Sequence, residues 1–161
     1  MTVWGALAGG AVGTVVLSSG LRIAQAAGWT RMDIPLLLGT IFTDSRSRAS
    51  ALGYAIHFVN GLLFALVYYA IFTAIGESGW CLGAVFGFVH ALFAASALVN
   101  LLLPLVHPRM GSPLTAADEA PLLEAPGFML LNYGLGTPIV TILAHVLYGA
   151  IIGAFVSLGS G

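Results

Sequence analysis

Apolar and polar residues in this chain are not interleaved; they fall into separate blocks. Four stretches contain no Asp, Glu, Lys or Arg: about Val3 to Leu21, Ala51 to about Ile75, Trp80 to Val106, and Thr137 to Leu158. A membrane-crossing helix needs about 20 mostly apolar residues, so each stretch predicts one span. Two further apolar stretches are too short. Ile34 to Phe42, at about 1.5 Å per residue, covers less than half a bilayer. Pro121 to Leu131 is interrupted by Glu124, Pro126 and Gly127. Both are expected at the membrane interface, or bent back into the bundle. The expected fold class is therefore all-α: a four-transmembrane-helix bundle forming one transmembrane domain over residues 1–161, with short interfacial helices in its loops.

Small residues recur at intervals of four within the spans. Gly5, Gly9 and Gly13 form a double GxxxG on the first, Gly83 and Gly87 repeat it on the third, and Gly149 and Gly153 on the fourth. The second carries Gly53 and Gly61. In lipid, burial of apolar surface cannot hold helices together, whereas close backbone approach at small residues can. The pattern predicts tight helix packing, within the chain or as a seam between copies.

Composition narrows the class. Hydrophobic residues make up 59% of the 161 residues and charged residues 7%, where a soluble domain carries about 25% charged. A water-facing surface cannot be covered with so few charges. No basic stripe is present, so nucleic acid is excluded as a partner; the expected partners are the lipid bilayer and other membrane subunits or a second copy. Cys81 is the only cysteine, which excludes an intrachain disulfide and any CxxC chemistry. Ala24-Gln25-Ala26 has the form of a leader cleavage site, but Met1 to Gly5 lacks positive charge and the apolar run is long, so a retained helix is expected. All basic residues are arginine. Arg22, Arg31, Arg46 and Arg48 lie between the first two spans and Arg109 between the last two. The positive-inside rule then places these two loops in the cytoplasm and both termini outside.

The chemistry available inside the membrane is histidine. His57, His90 and His145 lie on three different spans, and helical geometry puts them at comparable depth on the faces that carry Gly61, Gly83, Gly87 and Gly149. Spans two and four share the pattern HxxxG, as His57 with Gly61 and His145 with Gly149. A polar ring in hydrocarbon costs several kcal/mol unless it is satisfied. Three solutions are open. The imidazoles can bond Asn60, Asn100, Tyr68, Tyr148 or a carbonyl. They can act as cofactor ligands for a haem, a chlorophyll-type pigment or a metal ion, since neutral imidazole is a common ligand. They can line a proton or ion path, against which stands the lack of any acid inside a span.

In the loops, Asp33 before Ile34-Pro35 reads as a helix N-cap with proline in the first turn, or as a partner for an arginine or ligand at the cytoplasmic mouth. Asp44 and Ser45 read as caps for span two, with Arg46 and Arg48 reaching to head groups. His107-Pro108-Arg109 closes span three: Pro108 stops the helix, and an interfacial His107 suits its C-terminal dipole. Asp118, Glu119 and Glu124 form an acidic linker without calcium-loop spacing. No Walker loop, GxSxG, HExxH or kinase signature is present, so no enzyme activity is expected.

Taken as a set, these residues resemble a known kind of protein. The set comprises Ala8 to Thr14, Asp33-Ile34-Pro35 with Leu38-Gly39, and His57 to Gly61 with Tyr68. It continues with Gly87 and His90, His107-Pro108-Arg109, Gly127-Phe128 with Asn132-Tyr133-Gly134, and His145 with Tyr148, Gly149 and Gly153. It resembles an uncharacterised bacterial family of small four-span inner-membrane proteins, a domain of unknown function, over nearly the whole chain. The resemblance implies a bacterial inner membrane and no assigned activity. Three function classes follow: first a non-enzymatic accessory or assembly subunit of a larger membrane complex, then a histidine-based haem, pigment or metal carrier, then a small oligomeric transporter or channel.

Overall fold

A computed structural model describes residues 1–110 and 123–159. The structure is all-α, with no strand among the described residues. Helix α1 is Val3–Ala26, α2 is Ile34–Thr40, α3 is Arg46–Ile75 and α4 is Trp80–Phe93. A π-helical segment, Ala94–Leu102, and a short α5, Leu103–Val106, continue α4 as one rod. A 3-10 segment, Phe128–Tyr133, precedes α6, Thr137–Leu158. Four units have the length and apolar composition to cross a membrane: Val3–Ala26, Arg46–Ile75, Trp80–Val106 and Thr137–Leu158.

Local chemistry sets the ends. The Thr2 hydroxyl caps α1 by accepting from Gly5 N–H at 3.1 Å. Gly76, at φ 83°, stops α3 in the left-handed conformation and gives its N–H to Phe72 O at 2.9 Å. Pro138 sits in the first turn of α6, where a missing N–H costs nothing.

The first two spans are longer than their uncharged cores. Helix α1 runs on through Arg22 to Ala26, and α3 starts at Arg46 rather than Ala51. Arg22, Arg46 and Arg48 are exposed, so the helix continues while the charged ends leave the apolar zone. The third span departs further, because nine of its residues are π-helical. Pro104 supplies the reason: in an α-helix its ring would collide with the carbonyl of Asn100, and it has no N–H to return. The chain widens instead, and Leu103 N–H bonds Leu98 O, five residues back.

Packing follows the glycines. On α1, a methyl added to Gly9 would come within 3.0 Å of Ile152 Cα, and one on Gly13 within 2.9 Å of the Tyr148 ring, so this stripe lies on α6. Gly5 faces the Phe155 carbonyl in the same way. Gly83 and Gly87 of α4 meet the backbone of Gly149 and His145 on α6, and Gly153 meets Gly79 and Gly83. Gly61 of α3 takes the Thr14 side chain of α1. Around the bundle the order is α3, α1, α6, α4, while α2 lies along the start of α3. Helices α3 and α4 are not packed backbone to backbone; aromatic side chains bridge them.

Of the two short stretches, Ile34 to Phe42 folds as α2. Asp33 Oδ1 accepts from Leu36 N–H at 3.0 Å, with Pro35 in the first turn. Ser45 precedes α3 but makes no side-chain cap, and Asp44 pairs with Arg109 instead. In the second stretch, Phe128–Tyr133 forms the 3-10 segment, with Met129 and Leu130 both at positive φ, 52° and 65°. Pro121, like Asp118 and Glu119, lies outside the described residues.

Candidate functional site

Where α3 and the π segment face each other, the bundle encloses a cavity of about 440 Å³. Its apolar walls include Leu17 and Leu21 of α1, Leu98 and Leu102 of the π segment, and Ile34 and Leu38 of α2. Its polar end is formed by His57 and Asn60 of α3, His90 of α4, and Thr141, His145 and Tyr148 of α6. The three span histidines therefore share one chamber. No Asp, Glu, Lys or Arg among the described residues lines it.

The π segment helps to make this space. A π turn is wider than an α turn, and here it places Ala94 and Ala95 beside the histidines, where small side chains leave room. Leu102 and Val106 also line the cavity yet are 51% and 68% exposed, which marks its mouth beside the end of span three. Beyond the histidines, Tyr68 meets Phe72 and Phe86 edge to face at 6.1 and 6.3 Å. Tyr68 and Phe72 are buried and outside the lining, so this aromatic layer backs the chamber.

Each histidine has its own anchor. The His145 Nδ1–H donates to Thr141 O at 2.8 Å, which leaves Nε2 as an acceptor. The His57 Nδ1 bonds the Ser18 hydroxyl of α1 at 3.1 Å. His90 Nδ1 lies 3.4 Å from the Tyr68 hydroxyl. Its ring stacks on Phe64 with centroids 4.0 Å apart and meets His145 edge-on at 4.8 Å.

The expected polar partners divide. Tyr68 serves His90, whereas the Tyr148 hydroxyl donates across the bundle to Gly61 O at 2.5 Å. Asn60 lines the chamber but makes no hydrogen bond among the described residues. Asn100 neither lines it nor bonds a histidine, because the cavity face of the π segment runs through Leu98, Val99, Leu102 and Leu103. Ser18 and Thr141 were not singled out in sequence. Hydroxyl residues in membrane helices commonly bond their own preceding turn, as Thr14 does to Gly10 O at 2.7 Å, and so carry no separate signal.

Thr141 is the exception that matters. Its side chain is 3% exposed and its Oγ1 has no hydrogen-bond partner. Leaving a buried hydroxyl unmade costs about 1–3 kcal/mol. Thr141 is one of the residues that line the cavity.

Asp33, His107 and Arg109 do not line the chamber; they hold the elements around its mouth. His107 is 4% exposed. Its Nδ1 accepts from Arg109 N–H at 3.1 Å, so Nε2 carries the proton and donates to Leu37 O at 3.1 Å, with Thr40 Oγ1 equally near. Burial, aided by the Arg109 guanidinium, holds this imidazole below the usual histidine range, against the opposing pull of its bond to Leu37. The ring is thus neutral and buried rather than an interfacial cation. Arg109 bonds Thr40 O and, at 3.2 Å, Thr43 O, and it pairs with Asp44. Asp33 lies 3.7 Å from Arg22. On the other side, Arg31 N–H bonds Tyr133 O at 2.8 Å and the Thr30 and Thr137 hydroxyls meet at 2.7 Å. Together these clamp α2 and Leu130 against the mouth.

Chemically the site offers hydrogen bonds in a largely apolar setting without charged side chains among the described residues. No three His, Cys, Asp or Glu side chains among the described residues are grouped to hold one metal ion. His90 and His145, in edge contact, do not lie on opposite faces of a slot for a macrocycle. The chain matches no family model, no curated protein and no solved structure.

Proposed function

We propose that this protein is a non-enzymatic, membrane-embedded binding protein for a lipophilic small molecule, held in the chamber between α3 and the π segment. The observation that carries this reading is a cavity of about 440 Å³ with an apolar body and one polar end, built from residues of all four spans and of α2. Ligand sites of about 300–1,000 Å³ with apolar walls and few polar groups are typical of small-molecule binding. The reading keeps the histidines of the second function class but exchanges metal ligation for hydrogen bonding. It is preferred to an accessory subunit because the exposed Val, Leu and Phe side chains of the outer faces fit lipid as well as protein.

The arginine distribution and the resemblance to a bacterial four-span family add the setting. The termini face outward across an inner membrane, and the cavity mouth opens on the cytoplasmic side, at the level of that leaflet. A molecule dissolved in the bilayer reaches it sideways, without crossing water.

Solvent extraction of protein purified gently from native membranes, followed by mass spectrometry, tests the reading. A lipophilic compound is expected at near-stoichiometric amount, and Leu98→Trp, which fills the chamber, is expected to lose it while the protein stays folded. Equal recovery from both proteins would overturn the assignment.

A further inference from the structure

The polar end of the chamber has a specific donor and acceptor pattern. His145 Nε2 presents a lone pair, because Nδ1 has committed its proton to Thr141 O. Thr141 lines the same space, and its buried hydroxyl has no hydrogen-bond partner among the described residues. Other hydroxyl residues on these helices do not behave this way. Thr14 donates to Gly10 O at 2.7 Å, Thr73 to Tyr69 O at 2.8 Å, and Ser96 to Leu92 O at 2.5 Å. Thr141 alone among the buried side chains described is left with an unpartnered polar atom. On α3, one turn beyond His57, Asn60 also lines the chamber, and its amide makes no hydrogen bond among the described residues.

Charge decides the rest. Among the described residues that line this chamber, a carboxylate or phosphate would meet no Arg or Lys, and an ammonium would meet no Asp or Glu. An ion buried without a counter-charge is strongly disfavoured. The head group must therefore be neutral. It must also carry a hydrogen to give to His145 Nε2, which a ketone, an ether or an ester lacks.

Resting on the binding reading above, we propose that the ligand is an uncharged lipophile with a hydroxyl head, bound with its O–H donated to His145 Nε2 and its oxygen accepting from the Thr141 hydroxyl. The tail lies along Leu17, Leu21, Leu98 and Leu102 toward the mouth at Val106. Lipid alcohols and prenylated hydroquinones share this chemistry.

The test uses the full chain in nanodiscs and equilibrium binding of radiolabelled farnesol, with competitors. Saturable farnesol binding is expected. Farnesyl methyl ether, equal in tail but without the donor, is expected to compete about tenfold less well. Farnesoic acid is expected to compete poorly at neutral pH. Geranyl-hydroquinone set against its quinone separates the two sources: tighter binding of the hydroquinone than of farnesol points to the quinol pool, and the reverse to lipid alcohols, and either supports a hydroxyl head. Thr141→Val keeps the shape and removes the hydroxyl. It is expected to weaken farnesol binding about fivefold and, in the same protein without ligand, to raise the melting temperature, because an unmade hydroxyl is gone. A purely structural threonine would not move these two readouts in opposite directions. If the ether or the acid matches farnesol, the hydroxyl assignment falls and the binding cavity stands. If no probe binds the unaltered protein, and its membranes yield no copurifying lipophile, both fall.

Discussion

The imidazole of His145 donates its Nδ1 proton to the carbonyl of Thr141, one turn earlier on the same helix, at 2.8 Å. A carbonyl cannot donate, so this bond fixes the tautomer without reference to any ligand. Nitrogen-15 NMR of the protein labelled at histidine is therefore expected to show His145 with a protonated Nδ1 and a bare Nε2. A signal with Nε2 protonated would mean that the ring is turned around.

The seam between α4 and α6 is closed by backbone on backbone. A methyl on Gly149 would overlap the Gly83 carbonyl and come within 2.9 Å of Gly87 Cα. Since neither neighbour is a flexible side chain, Gly149→Ala is expected to destabilise by about 1–3 kcal/mol, as overpacking does. Gly20→Ala is the matched comparison, because nothing lies within 4 Å of its added carbon. It is expected to stabilise by about 0.5–1 kcal/mol through helix propensity. Thermal unfolding of both variants in detergent checks the contrast.

His107 links stability to pH. The unfolded chain takes up this proton near pH 6.5, and the folded chain only at lower pH, because burial and Arg109 disfavour the cation. The bound-neutral form is thus fully stabilising above about pH 6.5, and its contribution is lost as pH falls from there toward the folded value. The melting temperature of the unaltered protein is expected to fall between pH 7.5 and pH 5 (about one unit on one side of that value and more on the other). His107→Gln is expected to melt lower at pH 7.5 and to show a shallower decline. Parallel curves for the two proteins would contradict the role of this ring.

Met129 and Leu130 hold two successive left-handed conformations, at φ 52° and 65°. For residues with a Cβ this costs roughly 1–2 kcal/mol each. Met129→Ala and Met129→Gly delete nearly the same packing, but only glycine removes the backbone penalty. The glycine variant is expected to be more stable than the alanine variant by about 1 kcal/mol, measured by thermal or denaturant unfolding. Equal stabilities would show that the segment relaxes out of this conformation.

Legibility in the sequence followed the physics of each element. Thr137–Leu158 could be bounded to the residue because Gly136, Pro138 and Gly159 bracket an uninterrupted apolar run. The ends of α1 and α3 extended further, since arginine can sit on a helix that has already left the apolar zone. The π register of Ala94–Leu102 leaves no trace in hydrophobicity, and it takes Asn100 off the face that carries the cavity. The shared glycine faces pointed to His57, His90 and His145 together, because backbones meet where side chains are absent. Ser18 and Thr141 were invisible because most membrane hydroxyls bond their own helix. The sequence places His107 at the interface because it ends an apolar run beside Pro108 and Arg109, whereas its neighbours in space are Leu37 and Thr40.

The helix order α3, α1, α6, α4 makes the bundle a horseshoe whose two arms are consecutive in the chain, tied at one end by the turn from Gly76 to Gly79. Every small-residue seam lies along the curve of the horseshoe, and none closes the gap between the arms. What joins the arms is side chains, the rings of Phe64 and His90 and of Phe72 and Phe86 and the Tyr68–His90 hydrogen bond, so a bulky guest entering there from the lipid would displace side chains and leave the tight backbone joints intact.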